Sequence, residues 1–148
     1  MSSLAELYQN VILEHNRSPR NYRVMADADR QAEGNNPLCG DQLTVWLKLD
    51  GDLISDVTFL GLGCAISRAS ASLMTAAVKG KSTREAEQLF ERFHHLVTGT
   101  PEAADPETLG KLSVFSGISG YPTRVKCASL PWHTLKAALD QEPEAREA

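Results

Sequence analysis

Three cysteines and one aspartate are the residues of this sequence whose types and spacing could do chemistry. Cys39 and Asp41 lie two positions apart, and the remaining cysteines are Cys64 and Cys127. Gly40, between the first pair, permits a tight turn that lets both side chains face one ion. If the fold brings all four ligands together, three thiolates and a carboxylate form a four-coordinate site, and soft thiolates favour zinc, copper(I) or iron–sulfur clusters. Asp41 is the odd ligand, because a carboxylate exchanges on zinc more readily than a thiolate, which is typical of reactive sites.

The length and composition are typical of a single globular domain. The sequence has 148 residues, a hydrophobic share of 42% and a net charge of −4. These values predict one globular domain over residues 1–140 and a short disordered tail over 141–148. They argue against nucleic-acid binding, which favours a basic surface. No apolar run approaches the roughly 20 residues of a membrane span and the N-terminus does not resemble a signal peptide, so we expect a cytoplasmic protein with no membrane partner.

A predicted hairpin brings two of the motifs together. Apolar and polar residues alternate over residues 43–49, which indicates a strand with one buried face. Asp50-Gly51 is typical of a tight turn, and a second alternating run follows over residues 53–60. If the turn centres near residue 51, Asp41 lies about opposite Gly61 in an antiparallel pair. The first cysteine is then folded back toward the second.

Helical periodicity predicts the other elements. An N-terminal helix should end before Ser18-Pro19, a second should follow Cys64, and a third should begin at a capping box that starts with Ser82. The later apolar stripes are Leu89, Phe90, Phe93, Leu96 and Val97 for the third helix, Leu109 and Leu112 for a short helix after Asp105-Pro106, and Leu130, Trp132, Leu135 and Leu139 for the last.

Three stretches are predicted to lie outside the regular elements. Residues 17–36 are polar and aperiodic and read as a long loop that leads to the first cysteine. Residues 101–105 are predicted to be a polar linker, and the glycine-rich residues 116–120 a flexible segment. Residues 121–127 are predicted to form a turn or an extended approach to the third cysteine.

These boundaries place Cys64 and Cys127 each near a helix N-terminus, where unpaired amides and the positive end of the helix dipole favour the thiolate. Arg124 and Lys126 precede Cys127 closely and would offset the excess negative charge of three thiolates and a carboxylate. Because the cysteines are odd in number and a reducing compartment keeps thiols free, metal or sulfur chemistry is favoured over a disulfide framework.

The histidines are given no part in the predicted site. His15 lies on the edge of an apolar stripe and is interpreted as a packing residue. His94 and His95 fall in the last turn of the third helix, where they would face solvent or complement the terminal carbonyls. His133 is left unassigned, and Trp46 is predicted to pack on a face of the sheet.

Three motifs resemble a known family. Asn36-Pro37-Leu38-Cys39-Gly40-Asp41, Gly61-Leu62-Gly63-Cys64-Ala65-Ile66-Ser67 and Arg124-Val125-Lys126-Cys127-Ala128 are similar to the three cysteine motifs of the NifU/IscU-type iron–sulfur cluster assembly proteins. The resemblance spans nearly the whole chain and is greater to the SufU branch than to the IscU branch. Lys126 stands where IscU-type proteins have a histidine, and residues 121–125 do not reproduce their chaperone-recognition segment. The stretch between the second and third cysteines is also longer, as in SufU proteins.

The resemblance implies an α+β fold, with helices packed on one face of a small antiparallel sheet and a metal at one end. It implies that Cys39, Asp41, Cys64 and Cys127 hold zinc, and that the protein takes persulfide sulfur from a SufS-type cysteine desulfurase and passes it to downstream iron–sulfur assembly or recipient proteins. In such proteins a ligand from the desulfurase displaces one cysteine from zinc. Cys39 is the predicted sulfur acceptor, with Cys127 as the alternative and Arg124 as electrostatic support.

Two other functions stay open at this stage. The same thiolates could form a non-catalytic scaffold on which a [2Fe-2S] cluster is assembled and transferred, in which case iron replaces zinc. The site could also be a structural zinc module without sulfur chemistry.

Overall fold

The computed structural model describes residues 3–37, 40–99 and 109–142, with side chains of the first helix described from Tyr8 onward. The elements in chain order are helix α1 (Ser3–Arg17), strands β1 (Arg30–Asn36), β2 (Asp41–Asp50) and β3 (Leu53–Leu62), helices α2 (Ala65–Val78) and α3 (Thr83–Val97), a 3₁₀ helix (Gly110–Ile118), and helix α4 (Pro122–Leu139). Some predictions concern residues that the structure does not describe. These are the linker over residues 101–105, the helix start at Asp105-Pro106 and most of the C-terminal tail.

The three strands form one antiparallel sheet in the order β1-β2-β3. The predicted hairpin of β2 and β3 is present, and Gly51 at its turn has φ +61°, a conformation that favours glycine. The predicted register is two residues off, because Gly61 pairs with Leu43 rather than lying opposite Asp41. The turn is centred later than residue 51, and a register shift next to Lys48 adds one further residue on the β3 side.

Strand β1 corrects the prediction of a single long loop over residues 17–36. It pairs with β2 from Arg30 opposite Leu47 to Asn36 opposite Asp41. Its residues alternate between exposed and buried, as a strand with one covered face requires. The inward positions carry small or polar residues, among them Ala32, so the period of two has little hydrophobic contrast and escapes detection in the sequence.

The helices pack on one face of the sheet, which confirms the α+β class. Val45, Leu47 and Phe59 point from that face into the core, and α2 and α4 lie against it. The opposite face is covered less extensively. Trp46, which was predicted to pack on the sheet, is buried there beside its cross-strand partner Thr58.

The N-terminal and middle helices follow the sequence closely. Helix α1 ends at Arg17, before Ser18-Pro19, and α3 begins with a complete capping box between Ser82 and Glu85. Helix α2 is buried around most of its circumference, and its serines and alanines let neighbouring helices approach closely. The predicted flexible segment 116–120 is wrong in its first half, because the 3₁₀ helix runs to Ile118, whose side chain is buried.

Helix α4 begins earlier than predicted. Residues 121–127 are not an extended approach, since the helix starts at Pro122, where a proline at the first position is tolerated. Pro131 therefore lies inside the helix rather than near its start. A proline has no N–H, so the usual bond from residue 131 to the Cys127 carbonyl is missing from α4.

Across the described ranges, no helix combines the length and apolar character that crossing a bilayer requires.

Candidate metal centre

Asp41 is the innermost residue of the centre. It is the first residue of β2, and strand alternation puts its side chain on the same side as Leu43 and Val45, toward the helices. Its side chain is fully buried, with 0% exposure. A buried carboxylate is costly unless hydrogen-bonded or bound to a cation, so its partners matter for the site.

Cys64 supplies the first partner. It is the N-cap of α2, as predicted, and its Sγ accepts a hydrogen bond from the backbone N–H of Ser67 at 3.4 Å. Its own backbone N–H donates to Asp41 Oδ1 at 2.9 Å, and its Sγ lies 3.9 Å from Asp41 Oδ2. The side chain of Cys64 reaches the surface, so this thiol is open to solvent.

Cys127 approaches from the other helix. It lies in the second turn of α4, so the prediction that it repeats the helix-N-terminal placement of Cys64 is wrong. The side chain is buried, and the next residue is tied to α2 because Ser70 Oγ donates to the Ala128 carbonyl at 2.6 Å. Contact between helices, rather than a helix terminus, brings this thiol to the site.

The three ligand atoms converge. One carboxylate oxygen of Asp41 and the two sulfurs of Cys64 and Cys127 all lie within 4.8 Å of one another. Two thiols and a carboxylate at that spacing fit a zinc ion, whose ligand bonds are about 2.0 to 2.3 Å long. They equally fit the thiolate ligation of an iron–sulfur cluster.

Cys39, the fourth predicted ligand, lies outside the described residues. The chain on either side of it is described: Asn36 pairs with Asp41, and the Gly40 N–H donates to the Asn36 carbonyl at 2.9 Å. Gly40 has φ +72°, a left-handed conformation that favours glycine. Cys39 therefore belongs to the short connection that joins β1 to β2 beside Asp41.

The two cations predicted to support the thiolates are at the surface. The Arg124 guanidinium stacks on the Tyr121 ring, with its carbon 4.6 Å from the ring centre, and Lys126 is exposed. Neither forms a salt bridge with a described carboxylate.

The residues that stabilise the open end of the hairpin are not among those predicted from the sequence. The Tyr22 hydroxyl donates to the Gly61 carbonyl at 2.9 Å, and the Arg68 guanidinium stacks on the Tyr22 ring at 5.0 Å. Gly63 lies directly against the Asp41 carboxylate. The pair of glycines two residues apart, just before Cys64, was the available signal of a close backbone approach.

The histidines lie away from the centre. His15 is buried and its Nδ1 lies 2.7 Å from Ser72 Oγ, which is consistent with its predicted packing role. His94 and His133 are near one another on α3 and α4, with ring centres 6.4 Å apart. Neither histidine belongs to the cluster of Asp41, Cys64 and Cys127. In the described part of the chain, that cluster is the group of three potential metal ligands whose atoms lie close together.

Comparison with known proteins gives one consistent result. The sequence model of the NifU-like N terminal domain family matches residues 7–128. The chain is 40% identical to the zinc-dependent sulfurtransferase SufU of Bacillus subtilis, covering 95% of each protein. It is 38% identical to the iron–sulfur cluster assembly scaffold protein IscU of Streptococcus pyogenes, covering 99% of this chain and 91% of that protein.

Solved structures agree with these relatives. The crystal structure of FiSufU from Fervidobacterium islandicum AW-1 superposes with a TM-score of 0.83 at 35% identity, covering 93% of this chain and 99% of that chain. The N-terminal part of a NifU-like protein from Brucella abortus has the same fold, with a TM-score of 0.83 at 22% identity, covering 95% of this chain and 96% of that chain. The chain belongs to the NifU-like N-terminal domain family, with SufU and IscU proteins among its relatives.

Proposed function

We propose that this chain acts in iron–sulfur cluster assembly as a zinc-dependent acceptor of persulfide sulfur. The observation that carries the proposal is the convergence of Asp41, Cys64 and Cys127 from three separate elements to within 4.8 Å. Relatives at nearly equal identity are named as a sulfurtransferase and as scaffolds for iron–sulfur cluster assembly, which supports the pathway. The sulfur donor in this proposal is a SufS-type cysteine desulfurase, and iron–sulfur assembly proteins receive the sulfur.

Cys39, Asp41, Cys64 and Cys127 would hold the zinc. When bound, zinc keeps its cysteine ligands as thiolates at neutral pH, which is the form that attacks sulfur. The chain itself contributes an enclosed carboxylate, one thiol fixed as a helix N-cap and one thiol inside a helix.

Cys39 is the proposed acceptor because the other two thiols are tied to helices. Cys127 is 4% exposed, and Cys64 caps α2 through Ser67. Cys39 falls in the sequence between β1 and β2 and belongs to no helix, and loops between regular elements often carry the reacting residues of a protein.

The transfer is an exchange between sulfurs. The Cys39 thiolate attacks the terminal sulfur of the desulfurase persulfide, and a new S–S bond forms at Cys39. The bond between that sulfur and the desulfurase cysteine breaks, and the desulfurase cysteine leaves as a thiolate. The proton of the donor persulfide stays with the transferred sulfur or passes to solvent, so no external oxidant or reductant is needed.

A second candidate function is a scaffold for a [2Fe-2S] cluster. The observation that favours it is the same set of soft thiol ligands, which suits clusters as well as zinc. Metal analysis of protein purified anaerobically separates the two. Tight stoichiometric zinc in a colourless protein supports sulfur transfer, whereas a reconstituted cluster that passes to a recipient protein supports the scaffold.

The acceptor role is tested by Cys39→Ala in a desulfurase assay with labelled cysteine. We expect loss of persulfide on this chain and loss of its stimulation of the desulfurase, because the attacking sulfur is gone. Ser116→Ala, at an exposed position in the 3₁₀ helix, is the matched control and should behave as wild type. Continued persulfide uptake by Cys39→Ala would show that another thiol, such as Cys127, is the acceptor. Wild-type protein that holds zinc but accepts no sulfur would indicate a structural zinc module.

A further inference from the structure

The two oxygens of the Asp41 carboxylate have different surroundings. Oδ1 accepts the backbone N–H of Cys64 at 2.9 Å, while Oδ2 lies 3.9 Å from Cys64 Sγ. One oxygen is thus committed to the backbone, and the other faces the sulfur. A carboxylate in this position can offer a metal one oxygen while the second remains hydrogen-bonded.

Gly63 is the reason why the carboxylate fits there. The last pair of the β2–β3 ladder is Gln42 with Leu62, so the next position in register sets Asp41 opposite Gly63. A Cβ atom on residue 63 would lie 2.5 Å from Asp41 Oδ1 and 3.1 Å from its Cγ. Real Cβ atoms essentially never come that close to another heavy atom, so an alanine would force the carboxylate to move.

The backbone itself does not demand glycine at this position. The positive-φ glycines of the described chain include Gly40 and Gly51, but Gly63 is not among them. Alanine can adopt the backbone conformation of residue 63. A Gly63→Ala substitution is unfavourable because there is no space for the methyl group beside Asp41. The requirement for glycine is therefore set by another side chain rather than by a turn.

We infer that Gly63 is a positioning residue, which with the Cys64 amide holds the Asp41 carboxylate so that Oδ2 alone faces the metal. The inference rests on the proposed function only in assuming that this site binds zinc. It differs from the expectation drawn from ligand chemistry, in which Asp41 is the readily exchanged ligand. A carboxylate that is fully buried and held on two sides is the fixed member of the set.

A double-mutant cycle tests this inference through zinc affinity. Gly63→Ala, Asp41→Ala and the double variant are prepared as full chains, freed of metal under anaerobic conditions, and titrated with zinc against a chromophoric chelator. Because disturbing the residues that orient a metal ligand typically weakens metal binding by about 10- to 100-fold, Gly63→Ala should bind zinc at least about tenfold more weakly than wild type. In the Asp41→Ala background, Gly63→Ala should lower zinc affinity by less than about twofold. The carboxylate atoms that the new methyl group would meet most closely are absent from that background.

Gly117→Ala is the matched control. A Cβ atom at Gly117 meets nothing within 4 Å, and this position also has no left-handed backbone. It should leave zinc affinity within about twofold of wild type. Equal losses of affinity from Gly63→Ala in the wild-type and Asp41→Ala backgrounds would overturn the inference.

Folding provides a second measurement if Gly63→Ala is too unstable to titrate. Melting of the metal-free variants by circular dichroism should then show that Asp41→Ala restores the fold of Gly63→Ala. A double variant that stays unfolded would contradict the inference. Neither measurement involves sulfur transfer, so a failure of the proposed acceptor role would leave this result unchanged, and the reverse also holds.

Discussion

His15 joins three parts of the molecule through one side chain. It lies on α1, its Nδ1 is 2.7 Å from Ser72 Oγ on α2, and the same oxygen accepts the backbone N–H of Arg20 at 2.8 Å. Burial lowers the pKa of His15, and the charge of Arg20 lowers this pKa further. Burial also lowers the pKa of His133, with a smaller contribution from His94. The folded protein therefore binds a proton at either imidazole less readily than the unfolded chain does.

These two histidines predict a loss of stability in mild acid. In the unfolded chain a histidine takes up a proton near pH 6.5, whereas the folded chain resists until a lower pH. The free energy of unfolding should be highest above pH 6.5 and fall as the pH drops below it, by at most about 1.4 kcal/mol per pH unit for each histidine. Urea unfolding of the metal-free protein at pH 7.5 and 5.5 measures this difference.

His15→Gln and His133→Gln provide the controls, since neither replacement titrates. Each should reduce the difference in unfolding free energy between the two pH values, and the double variant should reduce it most. An unchanged pH dependence in the double variant would show that other groups cause the acid sensitivity.

Local chemistry made some single residues predictable and others not. The N-cap position of Cys64 follows from the residues just before and after it, because glycines end the strand and small residues begin the helix. The position of Cys127 is not predictable in this way, because a proline is tolerated in the first turn of a helix at either Pro122 or Pro131, and the helix begins at Pro122. Two prolines in one helix give two plausible starts, and the local sequence does not distinguish them.

At the scale of elements, β1 and α4 pack together at unusually close range. Gly34 lies in the middle of β1, and a Cβ atom there would overlap Thr134 Oγ1 of α4. The same Cβ would lie 3.1 Å from Leu43 and 3.2 Å from Leu130. Gly34 therefore sets how near the last helix can come to the sheet, and with it the position of Cys127.

Gly34→Ala should destabilise the protein by about 1 to 3 kcal/mol, the usual cost of overpacking a core. Thr134→Ala removes the closest obstacle and should restore part of that loss in the double variant. Chemical denaturation of the four proteins in the cycle measures the coupling. Gly117→Ala serves again as the control, and a Gly34→Ala protein as stable as wild type would refute the close contact.

The same contact explains why β1 could not be predicted. A strand is recognised in a sequence by the alternation of large apolar residues, and β1 places alanine, glycine and asparagine at its inward positions. At Gly34 the reason is α4, because Thr134 and Leu130 fill the space that a side chain would need. The reason for the pattern lies about a hundred residues further along the chain, beyond the reach of local periodicity.

At the scale of the whole molecule, we expect the core to fold without a metal ion. Large side chains such as Phe59, Phe93 and Trp132 are fully buried among the sheet and the helices. A chain of 148 residues can bury enough apolar surface to fold without a metal staple. Zinc should therefore add to the stability of a protein that is already folded.

Removal of zinc by a chelator should leave a cooperative thermal transition at a lower midpoint. At a free zinc concentration about 100 times the dissociation constant, zinc stabilises by roughly 2.7 kcal/mol, which corresponds to about 5 to 10 °C in the midpoint. Differential scanning calorimetry with and without zinc measures the shift. Cys127→Ser should reduce the shift, and magnesium should not reproduce it. A metal-free chain without any cooperative transition would contradict the independence of the core.

The global arrangement was predicted mainly through resemblance rather than through periodicity. Alternation alone brought the hairpin together, and helical stripes identified most helices. The meeting of Cys127 with Asp41 depends on α4 crossing the inner face of the sheet, which no local pattern encodes. The motifs that signalled the family carried that long-range information.

The packing of α4 on β1 and β2 also has a consequence for the order of events during synthesis. The first 120 residues contain the whole sheet, but its inner face is covered completely only when the last helix arrives. Asp41 and Cys64 leave the ribosome well before Cys127, so the growing chain can offer only an incomplete ligand set. Metal binding by the complete ligand set then coincides with the packing of α4 on the sheet. A chain truncated before α4 should expose the apolar inner face of the sheet and leave its thiols accessible to solvent.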